Sequence, residues 1–305
     1  MSTGQFVVWN VSSMYAPVYW GCIVSTALVG TTLVQGYTYF SRNPDSCIQK
    51  SLIFLILCLD TAESVLMSYT IYYLFLMNFG NMEVFLVTIP MSWIAENLVT
   101  AVVTFSVQVF LASRIYLVTS EYIVFHSWRK IMPILIFITA FASLVSAVVL
   151  NISVAKNPVL TQASMTLFEL TRCFEEGLGA LSDLLATCTL CIVLASGNPQ
   201  KRRSPFRRLF YFILSRGILV TVVQIATLVV YIAATLHFYW MPFHLCKSKL
   251  YTSTLLLMLN SRGEASTELP TIQFRPTLQL PEIASVRSTS RPLSTGMMMP
   301  GSVFD

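Results

Sequence analysis

Charge is scarce in this sequence. Only 11% of its 305 residues are Asp, Glu, Lys or Arg, 55% are hydrophobic, and the mean hydropathy is +0.69. A water-soluble domain carries about a quarter charged residues to hold its hydration shell. A chain with less than half that share faces something other than water over most of its surface. Histidine is scarcer still. His126, His237 and His244 are the whole complement, too scattered for the three-ligand-plus-acid set of a membrane metal hydrolase. Cys188 and Cys191 stand at CxxC spacing inside an apolar run, with no second such pair and no histidine near them, and the chain has neither a Gly-rich phosphate loop nor a nucleophile elbow. These absences exclude the familiar enzyme classes: the sequence predicts no catalytic residues, no metal and no cofactor. A retinal pigment would need a lysine at the middle of its last helix, and Lys249 lies outward of that position.

What the chain does have is long apolar runs. Seven of them, about 17–40, 51–79, 89–113, 131–152, 168–195, 209–236 and 241–259, alternate with short polar connectors. A bilayer crossing takes about 20 such residues. The fold class expected is therefore an all-α integral membrane protein. It comprises a short extracellular segment 1–16, a seven-transmembrane-helix bundle over 17–261 and a C-terminal tail over 262–305. The last run is the weakest, because Lys247 and Lys249 interrupt it. The tail is rich in Ser, Thr and Pro with no apolar period, a composition that cannot offset its ordering entropy and is expected to be disordered.

The basic residues set the orientation. Arg42, Lys50, Arg114, Arg129, Lys130, the run Lys201, Arg202, Arg203, Arg207 and Arg208, and four tail arginines make 14 of the 19 on one side. The positive-inside rule makes that side cytoplasmic, so the N-terminus is outside and the C-terminus cytoplasmic, in the plasma membrane or an endomembrane. The net charge of +5 thus follows sidedness, and nucleic acid is not an expected partner. Two acceptor sequons, at Asn10 and Asn151, fall on the outer side as candidate glycosylation sites. Cys22, Cys58, Cys188 and Cys191 lie within apolar runs and read as small buried hydrophobes. Cys173 and Cys246 share the outer side, with a disulfide between them left open.

Ionisable groups at membrane depth are costly and usually functional or paired. Asp60, Glu63, Glu96, Asp183 and Lys249, with Gln224, fall in the outer half of the bundle and form a candidate polar pocket open to the outside. A set of structural ion pairs is the competing reading. Glu175 and Glu176 lie near the outer rim, His237 and His244 at the outer edge. Two polar stripes at 3–4 spacing, Asn97, Thr100, Thr104 and Gln108 in the third run and Gln224, Thr227, Tyr231 and Thr235 in the sixth, each occupy one helix face. Arg216 shares the face of Gln224 at the depth of Asp60, and a pair between those two is expected.

Several blocks carry a resemblance. They are Tyr37-Thr38-Tyr39-Phe40, Leu59-Asp60-Thr61, Pro90 with Trp93, Gln108 to Phe110, Ser113 to Leu117, Ser182 to Ala186, Leu250 to Leu256 and Leu259 to Arg262. In order and spacing the chain resembles the multi-pass membrane proteins of mushroom-forming fungi that carry the domain of unknown function 6534. That domain corresponds to about residues 178–263, and the wider resemblance spans 17–263. Thr252-Ser253-Thr254 departs from the family's usual Tyr followed by Asn-Ser. The resemblance implies a seven-helix membrane protein and no particular activity.

The leading functional expectation is a receptor-like, sensory seven-helix protein. The basic loop Lys201, Arg202, Arg203, Arg207 and Arg208 would serve a cytoplasmic signalling partner or anionic lipid. Arg114 sits where rhodopsin-like receptors keep an arginine, although no acid precedes it. A small-solute transporter or channel and a non-catalytic membrane scaffold are the alternatives.

Overall fold

A computed structural model describes residues 11–79, 81, 89–119, 128–156, 162–196, 205–234 and 238–267. Among these, the regular structure is helical throughout. Seven long helices are α1 Val11–Arg42, α2 Cys47–Tyr72, α3 Met91–Thr119, α4 Trp128–Lys156, α5 Gln162–Ser196, α6 Pro205–Ala233 and α7 Met241–Thr267.

The ends follow local chemistry. Ser46 caps α2 in an extended conformation and accepts from the Gln49 amide, satisfying one of the first-turn donors that no helix can satisfy itself. At its other end α2 widens into a π turn, Tyr73–Met77. Asn78 closes that turn, its backbone and side-chain nitrogens both donating to Tyr73 O at 3.2 and 3.0 Å. Pro205 opens α6, where its missing N–H costs nothing. Arg207 and Arg208, expected in a connector, therefore belong to the first turn of α6. Lys201, Arg202, Arg203 and Asn10 lie outside the described residues. At the far end α7 runs to Thr267, so residues 262–267 of the expected tail are helical. With no proline until Pro270, nothing interrupts the backbone ladder once it is propagating.

Consecutive helices pack side by side from α1 round to α7, and α7 returns against α1, closing a ring. Across its middle α3 meets α7, and α7 also touches α2. Two hydrogen-bonded clamps seal the α1–α7 seam: Ser25 donates to Leu245 O at 3.0 Å, and Asn260 donates to Gln35 O at 2.9 Å while accepting from Asn43 at 3.2 Å. Small side chains permit the approach. A Cβ on Gly21 would lie 2.7 Å from the Pro242 backbone.

The distribution of polarity is inverted relative to a soluble bundle. The outer surface carries Trp20, Val34, Phe54, Val65, Ile134, Ile138, Val222, Val229 and Ile232, each more than half exposed. A continuous apolar exterior of this kind suits a lipid bilayer and not water. Four helices are long and apolar enough to cross a membrane, Tyr15–Arg42, Cys47–Met77, Met91–Leu117 and Ile131–Lys156, and α6 holds a shorter apolar stretch, Gly217–Ala233. Helices α5 and α7 carry Arg172, Glu175, Glu176, Asp183, His244, Lys247 and Lys249, all turned inward and buried. Of the cysteines expected inside, Cys58, Cys188 and Cys191 are exposed on the outer face and Cys22 is half-buried. A thiol is small and apolar enough to sit against lipid as readily as in a core. Cys173 and Cys246 are both free thiols.

Candidate functional site

The polar side chains of the interior gather around α7. Within this helix successive residues turn by about 100°, so His244, Lys247 and Ser248 fall on adjoining faces. Lys249, two residues past Lys247, points about 200° away from it. One helix thereby serves acids on two different sides.

On the side of α5 and α6, Glu176 is the hub. Its carboxylate accepts from Lys247 Nζ at 3.1 and 3.2 Å and from Gln224 Nε2 at 2.7 Å, and it lies 3.3 Å from Arg172 Nη2. Arg172 and Glu176 are one helical turn apart on α5, the spacing at which side chains meet. The arginine also reaches Glu175 at 3.4 Å and donates to Asn97 Oδ1 of α3 at 2.5 Å, and its guanidinium lies 4.6 Å from the centre of the Trp240 ring. Arg172 Nη2 is 2.9 Å from His244 Nδ1. An Nδ1 that accepts from arginine leaves the ring proton on Nε2, which faces Glu96 Oε1 at 3.6 Å. Thr100 donates to that same Glu96 oxygen at 3.3 Å.

On the side of α2, Lys249 is enclosed. Its ammonium lies 3.3 Å from Asp60 Oδ1 and 3.0 Å from Glu63 Oε2, and donates to Asp60 O at 2.8 Å and Ser248 Oγ at 3.1 Å. Ser248 Oγ, with one proton to share between the acids, lies 3.2 Å from Asp60 Oδ1 and contacts Glu63 Oε2, and Thr32 of α1 donates to Asp60 Oδ2 at 3.2 Å. Asp60 and Glu63 are three residues apart, hence on one face, as their spacing predicts.

A third, smaller group lies nearer the other end. Asp183 of α5 accepts from Gln108 Nε2 of α3 at 3.0 Å and from the Tyr251 hydroxyl of α7. Among the described residues no cation pairs with it.

The expected pocket is thus present in its residues but not in its form. Asp60, Glu63 and Lys249 do meet, whereas Glu96 belongs with His244, Gln224 with Glu176, and Asp183 with Tyr251. All six are buried to 6% exposure or less, so they line no vestibule open to the outside. A carboxylate in an apolar bundle is stabilised by contact with a partner and hydrogen-bond donors, and that closes the space between them. Asp60 meets Lys249; Arg216, the partner expected for it, has a side chain outside the described residues. Asn151 is helical and buried, donating to Ala147 O at 2.8 Å; in that position its amide is not presented for glycosylation. Asn97, Thr100, Thr104 and Gln108 turn inward and are buried, as are Gln224, Thr227 and Tyr231 of the second stripe, while Thr235 lies outside the described residues.

Sequence reasoning placed His244 at the outer edge, yet it is fully buried between Arg172 and Glu96. The signal that would have found them is local: Arg172, Glu175 and Glu176 stand at the i, i+3, i+4 spacing of a charged helix face, and His244 and Lys247 at i, i+3.

In sum the described interior holds six buried carboxyl groups, Asp60, Glu63, Glu96, Glu175, Glu176 and Asp183. Against them stand three basic side chains, Arg172, Lys247 and Lys249, and the imidazole of His244. Among the described residues no group of His, Cys, Asp and Glu has the arrangement of a metal site.

An all-helical bundle with an apolar exterior and a charged interior fits a multi-pass membrane protein. Residues 179–264, from α5 through α6 to α7, match a family of unknown function (DUF6534). That segment contains Asp183, Gln224, His244, Lys247, Lys249 and Tyr251, so the match covers the α5–α7 half of the ionic network. Neither a curated protein nor a solved structure matches the chain.

Proposed function

We propose that the chain is a seven-span membrane protein of the receptor-like, sensory kind, with its N-terminus outside and its C-terminus cytoplasmic. The observation that carries this reading is the role of α7. Through His244, Lys247, Ser248, Lys249 and Tyr251 a single helix is tied to α2, α3 and α5 by buried polar contacts. A small rotation or slide of α7 would break these contacts together, which is how a packed bundle acquires two discrete positions. Its inward charges also explain why α5 and α7 are less apolar than the four clear spans while still crossing the bilayer. The basic segment Lys201, Arg202, Arg203, Arg207 and Arg208 then lies at the cytoplasmic face, with anionic lipid or a signalling protein as its partner. The resemblance to proteins of mushroom-forming fungi belongs to the same reading.

Reporter fusions at both termini should place them on opposite sides of the membrane, and finding both in one compartment would end the proposal. A pull-down of cytosolic signalling proteins by the intact chain, lost on deleting residues 201–208, would support the receptor role; an identical profile with and without them would refute it. A second reading, a proton-linked small-solute transporter, draws on the surplus of buried carboxyl groups. It predicts that solute flux in proteoliposomes under an imposed pH gradient falls at least tenfold in Asp60→Asn.

A further inference from the structure

Between α3, α4, α5, α6 and α7 lies a small cavity of about 10 Å³, bordered by Thr104, Phe105, Gln108, Ser143, Gln224 and Lys247. It is of the size that holds a single water, provided polar groups receive it. Two of its lining side chains have buried oxygens with no partner among the described residues, Thr104 Oγ1 and Gln224 Oε1, at residues only 7% and 1% exposed. A hydroxyl and an amide oxygen left bare in an apolar bundle each cost about 1–3 kcal/mol. Gln224 is not free to turn away, because its Nε2 is committed to Glu176 Oε2 and Glu176 O. Gly179 keeps the space open: a Cβ there would lie 2.9 Å from Gln224 Nε2 and 3.5 Å from Ser143 Oγ.

We propose that this cavity is a binding site for one ordered water. The water donates to Gln224 Oε1, exchanges a hydrogen bond with Thr104 Oγ1 and accepts from the third proton of Lys247, whose other contacts go to Glu176. Three partners is the usual complement of a buried water. Lying beside Gln108 as well, it bridges the Glu176 cluster to the Asp183–Gln108–Tyr251 group and makes the polar interior continuous from Glu96 to Tyr251.

The test turns on a sign. In the full-length protein in nanodiscs, Thr104→Val removes the hydroxyl without changing the shape. If a water is bound, the variant loses a partner and its melting temperature falls by a few degrees. If the cavity is dry, the variant sheds an unsatisfied hydroxyl and melts at the same temperature or higher. Thr252→Val is the control. Its hydroxyl is also buried and unpartnered but lies away from the cavity lining, and its loss should leave the melting temperature unchanged or raised. Radiolytic labelling gives an independent reading. Protein equilibrated in ordinary water and exposed briefly in ¹⁸O-water should carry ¹⁶O on Phe105 from the trapped molecule, and less of it in Thr104→Val. A Thr104→Val protein as stable as the parent, or a Phe105 that takes up no ¹⁶O, would overturn the proposal.

Discussion

The two sides of α7 solve the same problem differently. Toward α5 and α6, Arg172 and Lys247 converge on Glu176, with Glu175, Asn97, Gln224 and His244 completing the shell. Toward α2, one ammonium, Lys249, serves two acids, and hydroxyls from Ser248 and Thr32 supply the rest. The first cluster sets two cations against Glu176 and Glu175, with His244 turned to Glu96. The second is short of cations. Burying an ion costs several kcal/mol unless a partner and hydrogen bonds recover it, so the penalty for losing a group should depend on which sign is in excess. A carboxyl left without its cation can take up a proton and become neutral. An arginine cannot give one up.

The largest effect is therefore expected at the hub. Glu176→Gln keeps the side-chain shape and leaves Arg172 and Lys247 converging on an uncharged amide. Removing one partner of a buried pair costs about 3–5 kcal/mol, and here Lys247 loses its carboxylate while Arg172 keeps only Glu175. Thermal or denaturant unfolding of the purified protein in nanodiscs should show a loss of that order, and a melting curve unchanged from the parent would mean that Glu176 carries no charge.

A smaller loss is expected opposite. Lys249→Met leaves Asp60 and Glu63 facing each other, and a single shared proton can reconcile two adjacent carboxyls. The expected cost is about 1–3 kcal/mol, the desolvation penalty of groups left short of a partner. Adding Glu63→Gln should recover part of it. A double-mutant cycle over Lys249 and Glu63 then gives a coupling of about 1 kcal/mol or more, and strict additivity would deny their contact. The corresponding rescue at the hub, Lys247→Met on top of Glu176→Gln, should be incomplete because Arg172 remains.

How much of this was legible in the sequence depends on whether the signal is local. The seven helices were, because runs of about 20 apolar residues have few other uses. Asp60 with Glu63 was, because i, i+3 spacing places them on one face, and the inward stripe Asn97, Thr100, Thr104, Gln108 followed for the same reason. Partners were not. Asp60 meets Lys249 because α2 packs on α7 as well as on α1 and α3, and the order of helices around a ring is not written in any one of them. Counting charges for sidedness also hid chemistry. A count by side of the membrane says nothing of depth, and the bundle draws Arg172, Lys247 and Lys249 inside. Arg207 and Arg208 belong to a helix rather than to a connector because Pro205 stands at the first position of α6.

At the seam between α1 and α7, Asn260→Ala would remove hydrogen bonds to Gln35 O and Asn43. About 1 kcal/mol should be lost, enough to resolve by melting temperature and well short of either ionic cluster. A loss of 3 kcal/mol or more would mean that this end of α7, and not its charged half, anchors the bundle.

The smallest effect is expected where no cation is involved. Asp183 contributes two accepted hydrogen bonds, from Gln108 and Tyr251, and an amide of the same shape can keep one and reverse the other, since a tyrosine oxygen also accepts. Asp183→Asn should therefore change stability by less than about 1 kcal/mol. A loss as large as that at Glu176 would show that Asp183 is charged and paired, and Arg216 is the cation to test next. Combining Asp183→Asn with Arg216→Met should then add nothing to the single change if the two form a pair, and should add a separate penalty if they do not.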